Sequence, residues 1–279
     1  MSGTTQPEFF IPDDDALIER SLLDASIPTL MMSMIHMTGD ASLLDGPIRP
    51  AGVYINEYQG YMSEEDKAVV RAQALEVIKA FRDGGCQLPP PPSAQTIHRM
   101  MNFFVAGDVP EEYVPMMLEE MELDGRDQRS DAWGNEVPVD RRENHKVLVI
   151  GGGMSGVLAA YRLQEAGIPF VVIEKNASVG GTWFENRYPG ARVDIESQEY
   201  SFSFSKDLEE EWQWTERYAP QGELLDYANH IADRFDLRRD ISFNTRVESA
   251  RYDDQSGLWR IMTDQGETIE ARYCVMATG

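Results

Sequence analysis

The run Val147-Leu148-Val149-Ile150-Gly151-Gly152-Gly153-Met154-Ser155-Gly156 constrains the fold of this chain more than any other stretch. Four apolar, mostly β-branched residues read as a buried parallel strand, and glycines follow where a strand must turn sharply into a helix. Gly151 permits the tight turn, Gly153 lets the backbone approach a pyrophosphate, and Gly156 lets the next helix pack closely on the strand. The helix N-terminus, with Met154 and Ser155 in its first turn, offers N–H groups and a positive dipole end to phosphate.

A GxGxxG pattern alone is weak, and a strand-turn-helix that binds nothing is its plain alternative. Here the surroundings add to it. Val157, Leu158, Ala160, Tyr161 and Leu163 mark an amphipathic helix closed by Gly167, and Phe170-Val171-Val172-Ile173 reads as a second buried strand. That strand ends on Glu174, about 20 residues past the glycines, where an acid accepts hydrogen bonds from an adenosine ribose. A carboxylate there repels a 2'-phosphate, so this turn is expected to take FAD or NAD and not NADP.

Downstream, the chain does not run into a long second crossover helix. It enters Val179-Gly180-Gly181-Thr182-Trp183 and then Asn186-Arg187-Tyr188-Pro189-Gly190-Ala191-Arg192-Val193-Asp194. Arginine and aspartate in such a loop could contact a ligand or pair with each other, and the residues alone leave both readings open. Leu224, Leu225, Ala228, Ile231, Ala232 and Phe235 then mark an amphipathic helix. Strands are expected at 241–250, 258–263 and 268–272, joined by turns at 253–257 and 264–266 into an antiparallel meander. A last buried strand, Tyr273 to Met276, closes on Ala277-Thr278-Gly279. A meander followed by a parallel strand and a small-residue turn fits an FAD domain of the glutathione-reductase type better than an NAD domain.

The first half of the chain has a different texture. Helical spacing begins near Asp13, with Leu17, Ile18, Leu22 and Ala25 on one face, and a second helix starts around Pro28 and stops before Gly39. Residues 1 to about 12 read as disordered, and 40–61 as a loop. Ser63-Glu64-Glu65-Asp66 is a capping-box pattern, followed by Val70, Ala74, Val77, Ile78 and Phe81 up to Gly84-Gly85. After the stiff Pro89 to Pro92 spacer come Ile97, Met100, Met101 and Phe104, then Val114, Met117, Leu118 and Met121. The Met31, Met32, Met34 and Met37 cluster is read as core in preference to an adaptable partner surface. From Asp124 to His145 the chain is polar and without periodicity, a linker.

Charge and cysteine content narrow the function classes. A formal charge of −23, most of it before Lys146, argues against nucleic acid or an anionic membrane as partner. Cys86 and Cys274 form no spaced set with the histidines, so neither a metal site nor a disulfide framework is expected. No basic, apolar leader opens the chain and no apolar run reaches a membrane span. A cytoplasmic location follows as the expectation.

GGGMSG, GGTW, NRYPGARVD, the Glu211-Trp212-Gln213-Trp214 and Glu216-Arg217-Tyr218-Ala219 segments, 232–237 and the terminal ATG together resemble the class B flavoprotein monooxygenases, in particular the Baeyer–Villiger type. The acidic helical extension resembles, by layout, that of the 4-hydroxyacetophenone monooxygenase subgroup. The resemblance implies an α/β fold, in which a Rossmann-like FAD-binding domain (146–279) follows an α-helical N-terminal extension (1–123) and a polar linker (124–145). It implies that Gly151, Gly153, Met154, Ser155 and Gly156 cradle the pyrophosphate and that Glu174 meets the ribose. Gly181, Thr182, Trp183, Phe184, Glu185, Tyr200 and Val247 would lie along the flavin, and Arg192, Val193 and Asp194 near flavin and nicotinamide. Asp194 would orient and tune an active-site arginine supplied by a later part of the family's chain, as a carboxylate holding a guanidinium in one pose can do. Glu185 stands where many members have an aromatic residue.

The implied reaction uses FAD, NADPH and dioxygen, and turns ketones into esters or lactones through a peroxyflavin. Family members bind NADPH through a second GxGxxG and carry an FxGxxxHxxxW fingerprint and a catalytic arginine, none of which lies within these residues. The chain reads as the N-terminal portion of such an enzyme, inactive by itself, with the helical part serving dimerisation or docking. An N-hydroxylating monooxygenase, another FAD oxidoreductase and a non-catalytic FAD-binding module are the rival expectations.

Overall fold

A computed structural model describes residues 11–53, 57–123 and 137–279. The expected disorder of the first residues lies largely outside that range, as does the linker over 124–136. The chain divides into two compact units, residues 1–128 and 129–279.

The first unit is helical. Helix α1 (Asp15–Ser21) is capped by Asp14, whose carboxylate accepts the Leu17 N–H at 3.1 Å, and α2 (Ile27–Thr38) ends on Gly39 at φ +72°. Helix α3 (Glu64–Asp83) starts at the expected cap: Ser63 Oγ accepts the Asp66 N–H at 3.1 Å and donates to Asp66 Oδ2 at 2.9 Å. Helices α4 (Ala94–Val105) and α5 (Val114–Met121) follow. Pro115 sits in the first turn of α5, where no backbone N–H is needed.

Ile18, Ile27, Met34, Ile35, Val70 and Ala74 are among the residues that form this unit's core. Met31 and Met34 are buried and Met32 and Met37 pack partly against the same core, so the core reading of that cluster stands. Two expectations change. Leu17 points outward, because a helix this short buries only the narrow stripe through Ile18 and Leu22. The 40–61 loop contains a 3-10 turn, Ala41–Asp45, held by Asp40 accepting the Ser42 N–H at 2.8 Å and by burial of Leu44.

The second unit is α/β. Strands β1 (Val147–Ile150) and β2 (Phe170–Ile173) flank helix α7 (Met154–Glu165) and pair in parallel, Val147 opposite Phe170 and Ile150 opposite Ile173. Helices α8 (Thr182–Glu185), α9 (Lys206–Glu211) and α10 (Gln221–Arg234) follow. Strand β3 (Ile241–Ser242) then pairs with β2, and β7 (Tyr273–Met276) with β1, giving the parallel order β3-β2-β1-β7. Between them β4 (Val247–Asp253), β5 (Leu258–Thr263) and β6 (Thr268–Ala271) form a separate antiparallel sheet.

Side chains alternate across a strand, and the two sheet faces bury different partners. Val147, Val149 and Val172 pack with Val157, Tyr227 and Ile231 of the helices. Leu148 and Ile173 pack with Ile261 and Ala271 of the meander. Each such Leu or Ile contributes about 1.5–3 kcal/mol of burial, so the sheet is fixed from both sides.

Three sequence expectations are corrected here. The single strand over 241–250 is two strands in two sheets, separated where Asn244 takes φ +53°, a conformation Asn tolerates. The strand Tyr273 to Met276 is not buried: as a sheet edge it leaves Tyr273 and Met276 exposed, the latter by 66%, while Cys274 turns toward the meander. Burial raises the Cys274 thiol above its ordinary value. Part of the 124–145 linker is a helical turn, α6 (Val139–Glu143), tied down by Arg142, which donates to Ala166 O at 3.1 Å.

Candidate functional site

A cavity of about 460 Å³ opens at the C-terminal ends of β1 and β2. Its floor is the first glycine turn. Gly151 has φ +107°, and a Cβ there would collide with the Ala277 carbonyl. A Cβ on Gly156 would overlap Gly151 O, so α7 can start this close to β1 only with glycine.

The N-terminus of α7 has no side-chain cap: Gly153 occupies the N-cap position and offers none. Gly153, Met154 and Ser155 line the cavity, so the dipole end and first-turn N–H groups of α7 face it. Gly156 lies buried beneath the cavity, in a packing role.

The second glycine turn packs against the first. Gly180 N donates to Gly152 O at 3.0 Å, and a Cβ on Gly181 would stand 2.8 Å from Gly153 Cα. Gly152 N in turn donates to Glu174 Oε2 at 2.5 Å, while Glu174 Oε1 accepts the Asn176 N–H at 2.7 Å. Glu174 is only 3% exposed, and its charge is satisfied by these backbone donors. The sequence treats GGGMSG and GGTW as separate signals. In the structure they form one backbone platform with Glu174 as its clasp.

Beyond the platform the cavity wall is aromatic. Trp183 is buried and donates its ring N–H to Tyr200 OH at 2.8 Å, the rings meeting edge to face with centroids 5.8 Å apart. Gln221 Nε2 also donates to Trp183 O. Thr182, Glu185 and Val247 line the same cavity. Glu185 is held by Asn176 Nδ2 at 3.0 Å and Lys175 Nζ at 2.8 Å, which together keep its carboxyl below the ordinary value.

Phe184, Arg192, Val193 and Asp194 do not line the cavity. Phe184 lies under the Arg187 guanidinium, 4.5 Å from its ring centroid. Arg192 donates to Glu216 Oε2 and to Tyr218 O, each at 3.1 Å, so it pairs across the loop and not with its neighbour Asp194. Val193 is buried beside Trp183 and Leu224, and Asp194 is exposed. Sequence reasoning missed Lys175, Asn176, Thr245 and Arg246, which also line the cavity. Asn176 had a local signal, two residues past the strand-end acid. Thr245 and Arg246 had none, because they arrive through the break between β3 and β4.

Residues 148–279 match the family model described as pyridine nucleotide-disulphide oxidoreductase. A Baeyer–Villiger monooxygenase of Pseudooceanicola batsensis is 44% identical over 133 residues, 47% of this chain and 24% of that protein. Over this region the chain is similar to the pyridine nucleotide-disulphide oxidoreductases and to Baeyer–Villiger monooxygenases. An uncharacterized monooxygenase, y4iD, of Sinorhizobium fredii is 31% identical over 267 residues, which extends the likeness across 94% of this chain and 38% of that one. A solved structure of an oxidized steroid monooxygenase bound to NADP is 50% identical over 48% of this chain and 26% of its own, with a TM-score of 0.48. The chain thus spans about a quarter to two fifths of the length of these curated relatives. Among the described residues no helix is long and apolar enough to cross a membrane, and no cluster of His, Cys, Asp and Glu could hold a metal ion.

Proposed function

We propose that residues 146–279 form a Rossmann-like FAD-binding domain of the glutathione-reductase type, and that it serves an NADPH- and dioxygen-dependent Baeyer–Villiger monooxygenase. The observation that carries the reading is the joined platform: an uncapped helix N-terminus and a buried carboxylate in one cavity, with an aromatic wall beyond them. The first-turn N–H groups of α7 suit a pyrophosphate, and the Glu174 carboxylate suits ribose hydroxyls while repelling a 2'-phosphate. The donor set and the glycine cradle fit FAD.

When bound, FAD supplies the redox chemistry by which ketone, dioxygen, NADPH and a proton become ester or lactone, water and NADP+. The chain's residues position. Gly153, Met154 and Ser155 hold the phosphates, and Gly156 keeps the helix close enough for them to do so. Gly181 and Thr182 are assigned to the cofactor's path. Trp183, braced by Tyr200 and Gln221, keeps water from the aromatic end of the cavity, which Val247 borders. Phe184 and Glu185 are assigned to its outer edge, where the Lys175–Glu185 pair lies. Asp194, exposed and outside the cavity, is assigned to orient an arginine, with Arg192 and Val193 fixing its loop. NADPH is assigned to residues other than this platform, because Glu174 excludes its 2'-phosphate.

Residues 1–123 are assigned as a helical extension with a docking role, homodimerisation being its alternative, and 124–145 as the linker. The free thiols of Cys86 and Cys274 suit a reducing cytoplasm. Product analysis tests the activity. In an enzyme that contains this domain, NADPH-dependent turnover with a cyclic ketone is expected to give the lactone and an amine to give no N-oxide, whereas residues 1–279 alone are expected to show no ketone-dependent NADPH consumption. N-oxide without lactone would assign the site to N-hydroxylation.

A further inference from the structure

The helical unit carries a second cavity with no counterpart in the flavin reading. Helices α4 and α5, with one flank of α2, leave an open groove of about 490 Å³. Thioethers dominate its walls: Met32, Met100, Met101, Met116, Met117 and Met121. These are largely different methionines from the Met31 and Met34 pair buried in the core. Val105, Tyr113 and Met116 are exposed by 47%, 45% and 51%, which is a large apolar outlay for one surface. Among the described lining residues, His36 and Tyr113 alone carry a side-chain nitrogen or oxygen. Burial holds the His36 imidazole below its ordinary value, and no lysine or arginine is among the described lining residues.

Its border is acidic. Asp108, Glu111 and Glu112 are exposed on the segment leading into α5. An apolar floor with a negative border selects its occupant by charge as well as by shape. Methionine side chains are unbranched and polarisable, and they reshape around apolar faces of differing outline. Such a floor takes the i, i+3, i+4 and i+7 side chains of an amphipathic helix.

A second copy of this chain is a poor occupant. Two-fold pairing through the groove would bring two copies of the acidic Asp108, Glu111 and Glu112 border into one interface. An anionic membrane is repelled by the same border.

We infer that the methionine groove between α4 and α5 is a docking site for a basic amphipathic helix of a partner protein. The helix lays its apolar face on the thioethers and its lysines or arginines along Asp108, Glu111 and Glu112.

The test uses the full chain and two synthetic helical peptides of about 18 residues, some five turns, with the same leucine face and either lysine or glutamate on the other. Affinity is measured by calorimetry, and the groove is footprinted by peroxide oxidation of methionine read by mass spectrometry. The lysine peptide is expected to bind at least about tenfold more tightly than the glutamate peptide and to shield Met116 and Met117. Its affinity is expected to fall several-fold as salt rises from about 0.05 to 0.5 M. Met116→Gln with Met117→Gln, at positions that are not fully buried, is expected to weaken it about tenfold. Glu111→Lys with Glu112→Lys, both exposed and remote from the core, is expected to narrow or invert the preference between the peptides. Equal binding of both peptides would overturn the inference, as would unchanged affinity in the glutamine variant. So would shielding of Met116 without peptide, whether in a particle of dimer mass or in the monomer.

Discussion

The two cavities are built on opposite plans. The platform in the α/β unit is backbone against backbone, with Gly151, Gly153, Gly156, Gly180 and Gly181 brought together and a buried carboxylate closing it. The groove in the helical unit is side chain throughout, and its methionines can shift without moving the backbone. A backbone site holds one ligand shape and tolerates almost no added atom. A thioether site holds a range of shapes and tolerates many changes.

The largest effect should follow from breaking the backbone plan. In Gly156→Val the added carbons meet Gly151 O, with no flexible side chain to give way, so backbone must move and the cost should exceed the about 1–3 kcal/mol of ordinary overpacking, to about 5 kcal/mol or more. FAD binding, followed by flavin fluorescence, should be lost, and the urea midpoint should fall. Unchanged binding would mean that the cradle yields more readily than its geometry implies.

Methionine gives the sharpest contrast. Met34→Ala, at a site 1% exposed, should destabilise the chain by about 2–5 kcal/mol, whereas Met116→Ala in the groove should cost under about 0.5 kcal/mol. Equal losses in urea denaturation would place both residues in one core and erase the distinction.

Glu174→Gln comes next. It keeps an acceptor for one backbone N–H, but its amide nitrogen faces the other donor, an unsatisfied contact worth about 1–3 kcal/mol. FAD affinity should drop about tenfold or more, and the bar against a 2'-phosphate should weaken, readable as competition by NADP+.

The smallest effect belongs to Glu185. Its folded carboxyl lies below the ordinary value of 4.5, through Asn176 first and Lys175 second. A depressed carboxyl contributes stability that is present above its unfolded value and is lost as pH falls through the folded one. Because the pair is largely exposed, the loss below about pH 4.5 should stay under about 0.5 kcal/mol. Glu185→Gln should remove that increment, measured as the difference in urea midpoint between pH 6 and pH 3.5.

The same contrast explains what could be read from residues alone. Turn glycines obey local rules, since φ and the room for a Cβ are decided within a few residues, and the strand, turn, helix and acid through Glu174 were therefore legible. So were the Ser63 cap and the stripe of α3. Features that depend on partners far along the chain were not. Arg192 is committed to Glu216, and Thr245 and Arg246 reach the cavity through a change of sheet. Helical spacing could not separate core methionines from groove methionines, because the two sets repeat with the same period and differ only in what packs on them.

The central claim is that this chain holds FAD on the joined glycine turns. Titrating FAD into the flavin-free chain tests it most directly, with absorbance and fluorescence followed as NADP+ is added in excess. The account predicts one FAD bound per chain, with its fluorescence changed on binding and its visible spectrum distinct from that of free flavin, and no displacement by NADP+. A free-flavin spectrum at saturation, or displacement of FAD by NADP+, would contradict it.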